Sequence, residues 1–200
     1  MAEPASSTTS PVRVVLAEDE AIIRLDLKET LEAEGYEVVA DTGRGDEAVQ
    51  LVRDLKPDVA ILDIKMPGLD GIETAREISQ ERGAAVVILT AFSQRDLIEK
   101  ARDAGVLAYL IKPFQSSELV PAVEIALARH REYQAISDQV DQLEDRLEIR
   151  KLVDRAKGKI MDDHKKSESE AFDYIQKSAM AERKSMRAIA EEVLDGREVL

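Results

Sequence analysis

The sequence predicts an α/β domain on a five-stranded, doubly wound parallel sheet, followed by an all-helical back end. Two observations carry this. Over the first 128 residues short apolar runs alternate with amphipathic segments, and after about residue 116 the strand-like runs stop. Strict alternation of strand and helix implies parallel strands joined by right-handed crossovers. A third observation limits the class. No stretch approaches the roughly 20 apolar residues of a membrane span, and there is no cysteine for disulfides or thiol catalysis.

The elements follow in order. Residues 1–11, "MAEPASSTTSP", have no apolar block and read as a loose tail, not a signal peptide. Strands are expected at Val12–Ala17, Tyr36–Asp41, Asp58–Asp63, Ala85–Thr90 and Val106–Leu110. The third contains Val59–Leu62, a continuous apolar run of the kind buried on both faces of a parallel sheet. Helices are expected near 20–34, 44–55, 70–82 and 94–104, and from about 116 onward, with Pro121 in the first turn, where proline is tolerated. Tyr133, Ile136, Val140, Leu143 and Leu147 then recur at alternating spacings of three and four, a coiled-coil seam two heptads long. A seam that short is marginal alone, so it suits a spacer or an inducible dimer contact. It ends at Arg150, and a new apolar set follows: Leu152, Val153, Ala156, Ile160 and Met161. In "KKSESEAF" the chain breaks and restarts, with Ser167 as N-cap and Glu170 completing a capping box. One helix to about Ser178 and another over 182–194 complete a small three-helix bundle. The divisions expected are a tail at 1–11, an α/β domain at 12–128, a coiled-coil linker at 129–149 and a helical domain at 150–200.

The net charge of −13 is uneven. Residues 1–149 hold 16 Lys and Arg against 30 Asp and Glu, whereas residues 150–187 hold 11 basic against 7 acidic. The whole-chain charge opposes nucleic-acid binding; that of the back segment permits it.

In a doubly wound sheet, ligands bind beyond the carboxyl ends of the strands. Asp63 sits at such an end, and a buried, unpaired carboxylate there is expensive. "VRVVLAEDE" places Glu18, Asp19 and Glu20 at the end of the neighbouring first strand. Carboxylates converging there repel one another, and a hard divalent cation such as Mg²⁺ removes the repulsion. The fourth strand ends at Thr90, and the fifth is followed by Lys112 and Pro113. Carboxylate nucleophile, metal, hydroxyl and ammonium are the parts that hold a phosphoryl group in line. Each residue taken singly also reads as an ordinary cap or surface group; their shared end of one sheet is what distinguishes them.

The motifs "LAEDE", "LDIKMPGLDG", "ILTAF" and "YLIKPF" resemble the receiver domain of two-component response regulators, a flavodoxin-like fold. The resemblance covers residues 12–128. It implies that Asp63 accepts phosphate from a sensor histidine kinase. It implies that Asp19, Asp63 and the main-chain carbonyl of Lys65 ligate Mg²⁺, with Glu18 acting through water. It further implies that Thr90 and Lys112 bind phosphoryl oxygens, that Tyr109 is an aromatic switch, and that the Lys112–Pro113 bond is cis. Glu20 matches no ligand position and reads as an N-terminal helix acid.

In the back segment Arg155, Lys157 and Lys159 lie on one expected helix, Lys177 ends the next, and Arg183, Lys184 and Arg187 start the last. Composition alone reads these as a solvated surface. Ala156-Lys157-Gly158, Met161, Ala171-Phe172, Tyr174-Ile175, Lys177, Ala179-Met180 and Ala188-Ile189-Ala190 resemble the ANTAR output domain of antitermination regulators. That resemblance implies binding to RNA hairpins in nascent transcripts and prevention of termination. The chain departs from the pattern at Lys159, where the family carries an aliphatic residue. Phe172 and Tyr174 lie two apart on one helix, so at most one is available to stack on a base. The small Ala156 and Gly158 permit close approach of a helix or of RNA, and tight helix packing is the expected use.

The reading is therefore a cytoplasmic response regulator whose phosphorylation controls RNA binding, with a phosphorylation-dependent homodimer formed through the seam. It is not an enzyme beyond phosphoryl transfer to and from its own aspartate. The alternatives are a DNA-binding regulator, for which no helix-turn-helix is visible, and a phosphorelay or dimerisation module. An aspartate-dependent phosphatase would need a second acid two residues after the nucleophile, where this chain has Lys65.

Overall fold

The computed structural model describes residues 10–91 and 95–196; most of the expected tail lies outside them. The chain forms two compact units, Met1–Gln134 and Ala135–Leu200. The first holds β1 (Arg13–Ala17), α1 (Ala21–Ala33), β2 (Glu37–Thr42), α2 (Gly45–Leu55), β3 (Val59–Asp63), α3 (Gly71–Gln80), β4 (Ala85–Thr90), α4 (Arg95–Asp103) and β5 (Ala108–Ile111). Helix α5 (Ser116–His164) starts in this unit and runs on into the second, which adds α6 (Glu168–Glu182) and α7 (Met186–Leu194).

All five strands are parallel, in the order β2-β1-β3-β4-β5. Every residue of β3 and β4 is buried, as their unbroken apolar runs require. Leu27 and Leu31 of α1 join Leu119, Val123 and Leu127 of α5 in the core on one face. Ala48, Val49 and Val52 of α2 join Ile72, Ala75 and Ile78 of α3 on the other. In the second unit Ile160, Ile175 and Ile189, one from each of α5, α6 and α7, are fully buried together. The bundle expected from three apolar faces is present.

Several boundaries differ from expectation, each for a local reason. Strand β5 starts at Ala108, not Val106, because the Val106 amide donates to the Ala101 carbonyl at 3.1 Å and closes α4. Strand β2 starts at Glu37, because the Tyr36 amide is held by the Leu31 carbonyl at 3.0 Å. Pro121 lies in the second turn of α5, not the first. There it removes one amide from the ladder, close to the helix start. Helix α6 passes Ser178 and ends at Glu182, with Arg183 left-handed at φ 53°. Helix α7 then starts after Ser185, whose hydroxyl accepts from the Ala188 amide at 3.1 Å. Lys177 is therefore interior to α6, Arg183 caps it, and Lys184 lies in the connection; of the three cations assigned to the last helix, only Arg187 is on it. The Ser167–Glu170 capping box forms as expected.

Among the described residues, four that are not glycine have positive φ: Lys56, Arg82, Lys165 and Arg183. All four are basic, and all follow the ends of helices, α2, α3, α5 and α6.

Candidate functional site

Parallel register brings the strand ends together. Ala17 pairs with Leu62, so Glu18 and Asp63 emerge side by side, and the Glu18 amide extends the ladder to the Thr42 carbonyl at 3.0 Å. Carboxylate oxygens of Glu18, Asp19 and Asp63 all lie within 4.8 Å of one another. Glu18 is fully buried, Asp63 is 7% exposed, and Asp19 faces solvent.

Lys112, the residue after β5, makes this burial tolerable. Its Nζ donates to Glu18 Oε2 at 2.5 Å and to Asp63 Oδ1 at 2.7 Å. The Lys65 amide donates to Asp63 Oδ2 at 2.8 Å, so both Asp63 oxygens are engaged. Burial pushes the Glu18 carboxyl above its ordinary pKa, and the hydrogen bond from Lys112 only partly opposes it. For Lys112, burial pulls the pKa down, but hydrogen bonds to Asp63 and Glu18 outweigh that, and the net shift is upward. The ammonium stays charged at neutral pH.

Three carboxylates against one ammonium leave two formal negative charges. The donors are hard oxygens with no histidine or cysteine among them, and Asp19 opens the group to solvent. This chemistry fits a hard divalent cation such as Mg²⁺.

Some supporting residues escape sequence reasoning. A methyl group on Gly71 would fall 2.0 Å from the Asp63 carbonyl oxygen, so only glycine lets α3 start against the end of β3. The Gly71 amide donates to the Ile64 carbonyl at 2.8 Å, and Asp70 and Glu73 form a capping box there. The glycine of "GLDG" was the available signal. Arg24 donates to the Glu18 carbonyl at 2.5 Å and to Asp41 at 3.1 Å, fixing the loop after β1 from α1; no local motif marks it. Glu20 is the N-cap of α1, an acid at the helix N-terminus as the sequence suggests, and it makes no side-chain cap bond.

Thr90 ends β4 at 3% exposure, and its carbonyl accepts the Lys112 amide at 2.7 Å. Tyr109 on β5 is 38% exposed. The Lys112–Pro113 bond is cis.

In the second unit the candidate cations divide into two sets. Lys157 is held by Asp154 and Glu168, both at 2.7 Å, Lys159 by Asp163 at 3.7 Å, Lys184 by Glu182 and Glu192, and Arg187 by Glu191 at 3.1 Å. Arg155, Lys177 and Arg183 are exposed and form no ion pair among the described residues. Of the two aromatics, Tyr174 packs against the bundle core with Lys166 5.6 Å from its ring centre, whereas Phe172 is 40% exposed. Ala156 is fully buried, as helix packing requires, but Gly158 is not used that way: a methyl group there would meet nothing within 4 Å. The seam residues Tyr133, Ile136, Val140, Leu143 and Leu147 are 46–63% exposed.

A doubly wound sheet with this acidic, lysine-bridged pocket and a helical output unit defines a response regulator. The chain belongs to the two-component response regulators that join a receiver domain to an ANTAR domain. Residues 14–124 match the response regulator receiver domain and residues 141–194 the ANTAR domain. The transcriptional regulatory protein PdtaR of Mycobacterium tuberculosis is 54% identical over 185 residues, covering 92% of this chain and 90% of that protein. The chemotaxis protein CheY of Thermotoga maritima is 36% identical over 112 residues, covering 56% of this chain and 93% of that one. Among solved structures, a LuxR-family two-component response regulator from Aurantimonas sp. SI85-9A1 is 36% identical with a TM-score of 0.56, covering 60% of this chain and 86% of that one. No helix among the described residues is long and apolar enough to cross a membrane.

Proposed function

We propose that the protein is a cytoplasmic, phosphorylation-controlled antiterminator that binds RNA hairpins in nascent transcripts. The observation that carries this reading is α5. One unbroken helix starts four residues after Lys112 and continues as the first helix of the ANTAR-matching bundle. The phosphoacceptor region spans 12–128, the linker 129–149 and the RNA-binding region 150–200.

A sensor histidine kinase presents a phosphohistidine. An oxygen of Asp63 attacks phosphorus, the P–N bond breaks, and the imidazole leaves with its electron pair. Asp19, Asp63 and the Lys65 carbonyl would hold Mg²⁺, with Glu18 acting through water, and the ion would supply positive charge against the phosphoryl oxygens. Lys112 keeps its ammonium beside Asp63. Thr90 then donates its hydroxyl to the new acceptor oxygens, and Tyr109 moves in behind it. Thr90→Ala is expected to take phosphate from acetyl phosphate at near-normal extent yet lose phosphate-stimulated RNA binding. Full stimulation in that variant would refute the relay.

The RNA surface is built from the cations that form no ion pair among the described residues, Arg155, Lys177 and Arg183, with Phe172 as the stacking aromatic; Lys157, Lys159, Lys184 and Arg187 must first leave their carboxylates. Gly158 leaves room for close approach of the RNA backbone. Helix-interior glycine costs about 0.5–1 kcal/mol relative to alanine. Gly158→Ala is therefore expected to raise the melting temperature of the bundle while weakening hairpin binding. Calorimetry and filter binding on one preparation check both signs.

The deciding experiment is binding of a labelled library of terminator-leader RNAs, with and without phosphorylation. Enrichment of hairpin leaders by the phosphorylated protein is expected. No enrichment in either state would refute the reading.

A further inference from the structure

The end of the seam is chemically odd. With Tyr133, Val140 and Leu147 at heptad position a, and Ile136 and Leu143 at d, the next d position is Arg150. The g position before it is Arg146, and the e position after it is Lys151. All three side chains are exposed, and none forms an ion pair among the described residues. The acid best placed to neutralise them, Asp154 at the following a position, pairs with Lys157 at 2.7 Å and interacts with Arg150 only at longer range. Asp145 and Glu148 lie towards Arg187.

Val140 at a with Leu143 at d is the combination that favours two parallel strands. In that arrangement a g residue faces the e residue of the second copy five positions on. Arg146 therefore faces Lys151 of the second copy, twice by symmetry, and the two Arg150 side chains meet across the axis. The other g–e pairs, Glu132 with Ser137 and Gln139 with Glu144, carry no like-charge repulsion. The repulsion is confined to the end that adjoins the bundle.

We propose that Arg146, Arg150 and Lys151 of two copies form an anion site that exists only in the dimer. The phosphates of RNA held by the adjoining bundles fill it. This rests on the seam dimer as part of the function proposed above. The free seam is then held open by its own cations, and RNA is both the ligand of the dimer and part of what closes it. The apolar layers supply attraction, and the charged end makes it conditional.

The test is self-association of the full-length protein by sedimentation equilibrium, without RNA. Lys151→Glu turns both Arg146 contacts from repulsive to attractive and is expected to tighten association at low salt about tenfold. Inorganic tripolyphosphate is expected to tighten association of the unaltered protein and to lose that effect on Lys151→Glu. General repulsion between chains of net charge −13 predicts the reverse, because this substitution makes each chain more negative. Weaker association of Lys151→Glu would thus overturn the proposal. So would unchanged association, the result for an antiparallel seam, where Lys151 does not meet Arg146. Adding Val140→Asp to Lys151→Glu separates the two failures. Loss of association in the double variant supports the seam, whatever the charge result. Retained association places the contact elsewhere and refutes seam and site together.

Discussion

Asp63→Asn is expected to abolish labelling of the protein by acetyl phosphate or by a phosphorylated kinase in the presence of Mg²⁺. The amide keeps the shape of the side chain but removes the nucleophile. It also removes one charge from a pocket in which three carboxylates face a single ammonium. Relief of that repulsion offsets part of the lost hydrogen bond to Lys112, so the fold is expected to survive and the loss to be chemical. Intact-mass measurement after incubation with acetyl phosphate reads the result directly. A phosphorylated Asp63→Asn protein with unchanged stoichiometry would refute the assignment. Asp19 is the exposed member of the cluster, whereas the Lys65 amide and the Lys112 ammonium engage both oxygens of Asp63.

Replacing Val140 and Leu143 together with Asp is expected to lower affinity for tandem hairpins by about two orders of magnitude, the scale that effective concentration supplies when two modules are held together. Affinity for a single hairpin should stay within about twofold, since neither residue belongs to the bundle core. Both side chains are about half exposed and neither belongs to a core cluster, so the substitution removes little intrachain packing. Gel-shift titrations on one- and two-hairpin RNAs separate the two effects. Equal losses on both RNAs would show that the seam serves folding of the bundle instead of pairing of copies.

Much of this architecture is written in local pattern. The apolar runs of β3 and β4 are long and unbroken, because both faces of each strand are covered, and they announce themselves. The capping box at Ser167 needs only residues three apart, so it too is local. The edge strand β5 starts two residues later than its sequence suggests, because the choice between closing α4 and opening the strand depends on one amide of Val106. Helix α6 overran its expected end for a related reason: Ser178 is as compatible with a helix interior as with an end, and Ser185 is the serine that caps the next helix. The acidic cluster was legible because strand ends converge in a doubly wound sheet. The supports of that cluster were not. Arg24 acts across the sheet edge on a backbone carbonyl, and the constraint on Gly71 appears only once β3 and α3 are in contact. At Gly158 small size alone cannot tell a crowded position from an open one, so the sequence does not separate helix packing from room for RNA.

The four left-handed residues after the helix ends have a consequence for how the chain spends its conformational freedom. A glycine at such a position is the ordinary solution, and any other residue carries strain of roughly 1 kcal/mol or more. This chain has a lysine or an arginine at Lys56, Arg82, Lys165 and Arg183 alike. A cation beside the last carbonyls of a helix recovers typically 0.3–1 kcal/mol from the macrodipole, so charge can offset part of the strain. The net stability at each turn is then a function of ionic strength, where a glycine turn would be indifferent to it. At Lys165 and Arg183 the turns link the three helices of the basic bundle. An anionic ligand seated near either one would meet a cation at the end of a helix, so the salt concentration that governs binding also acts on those turns.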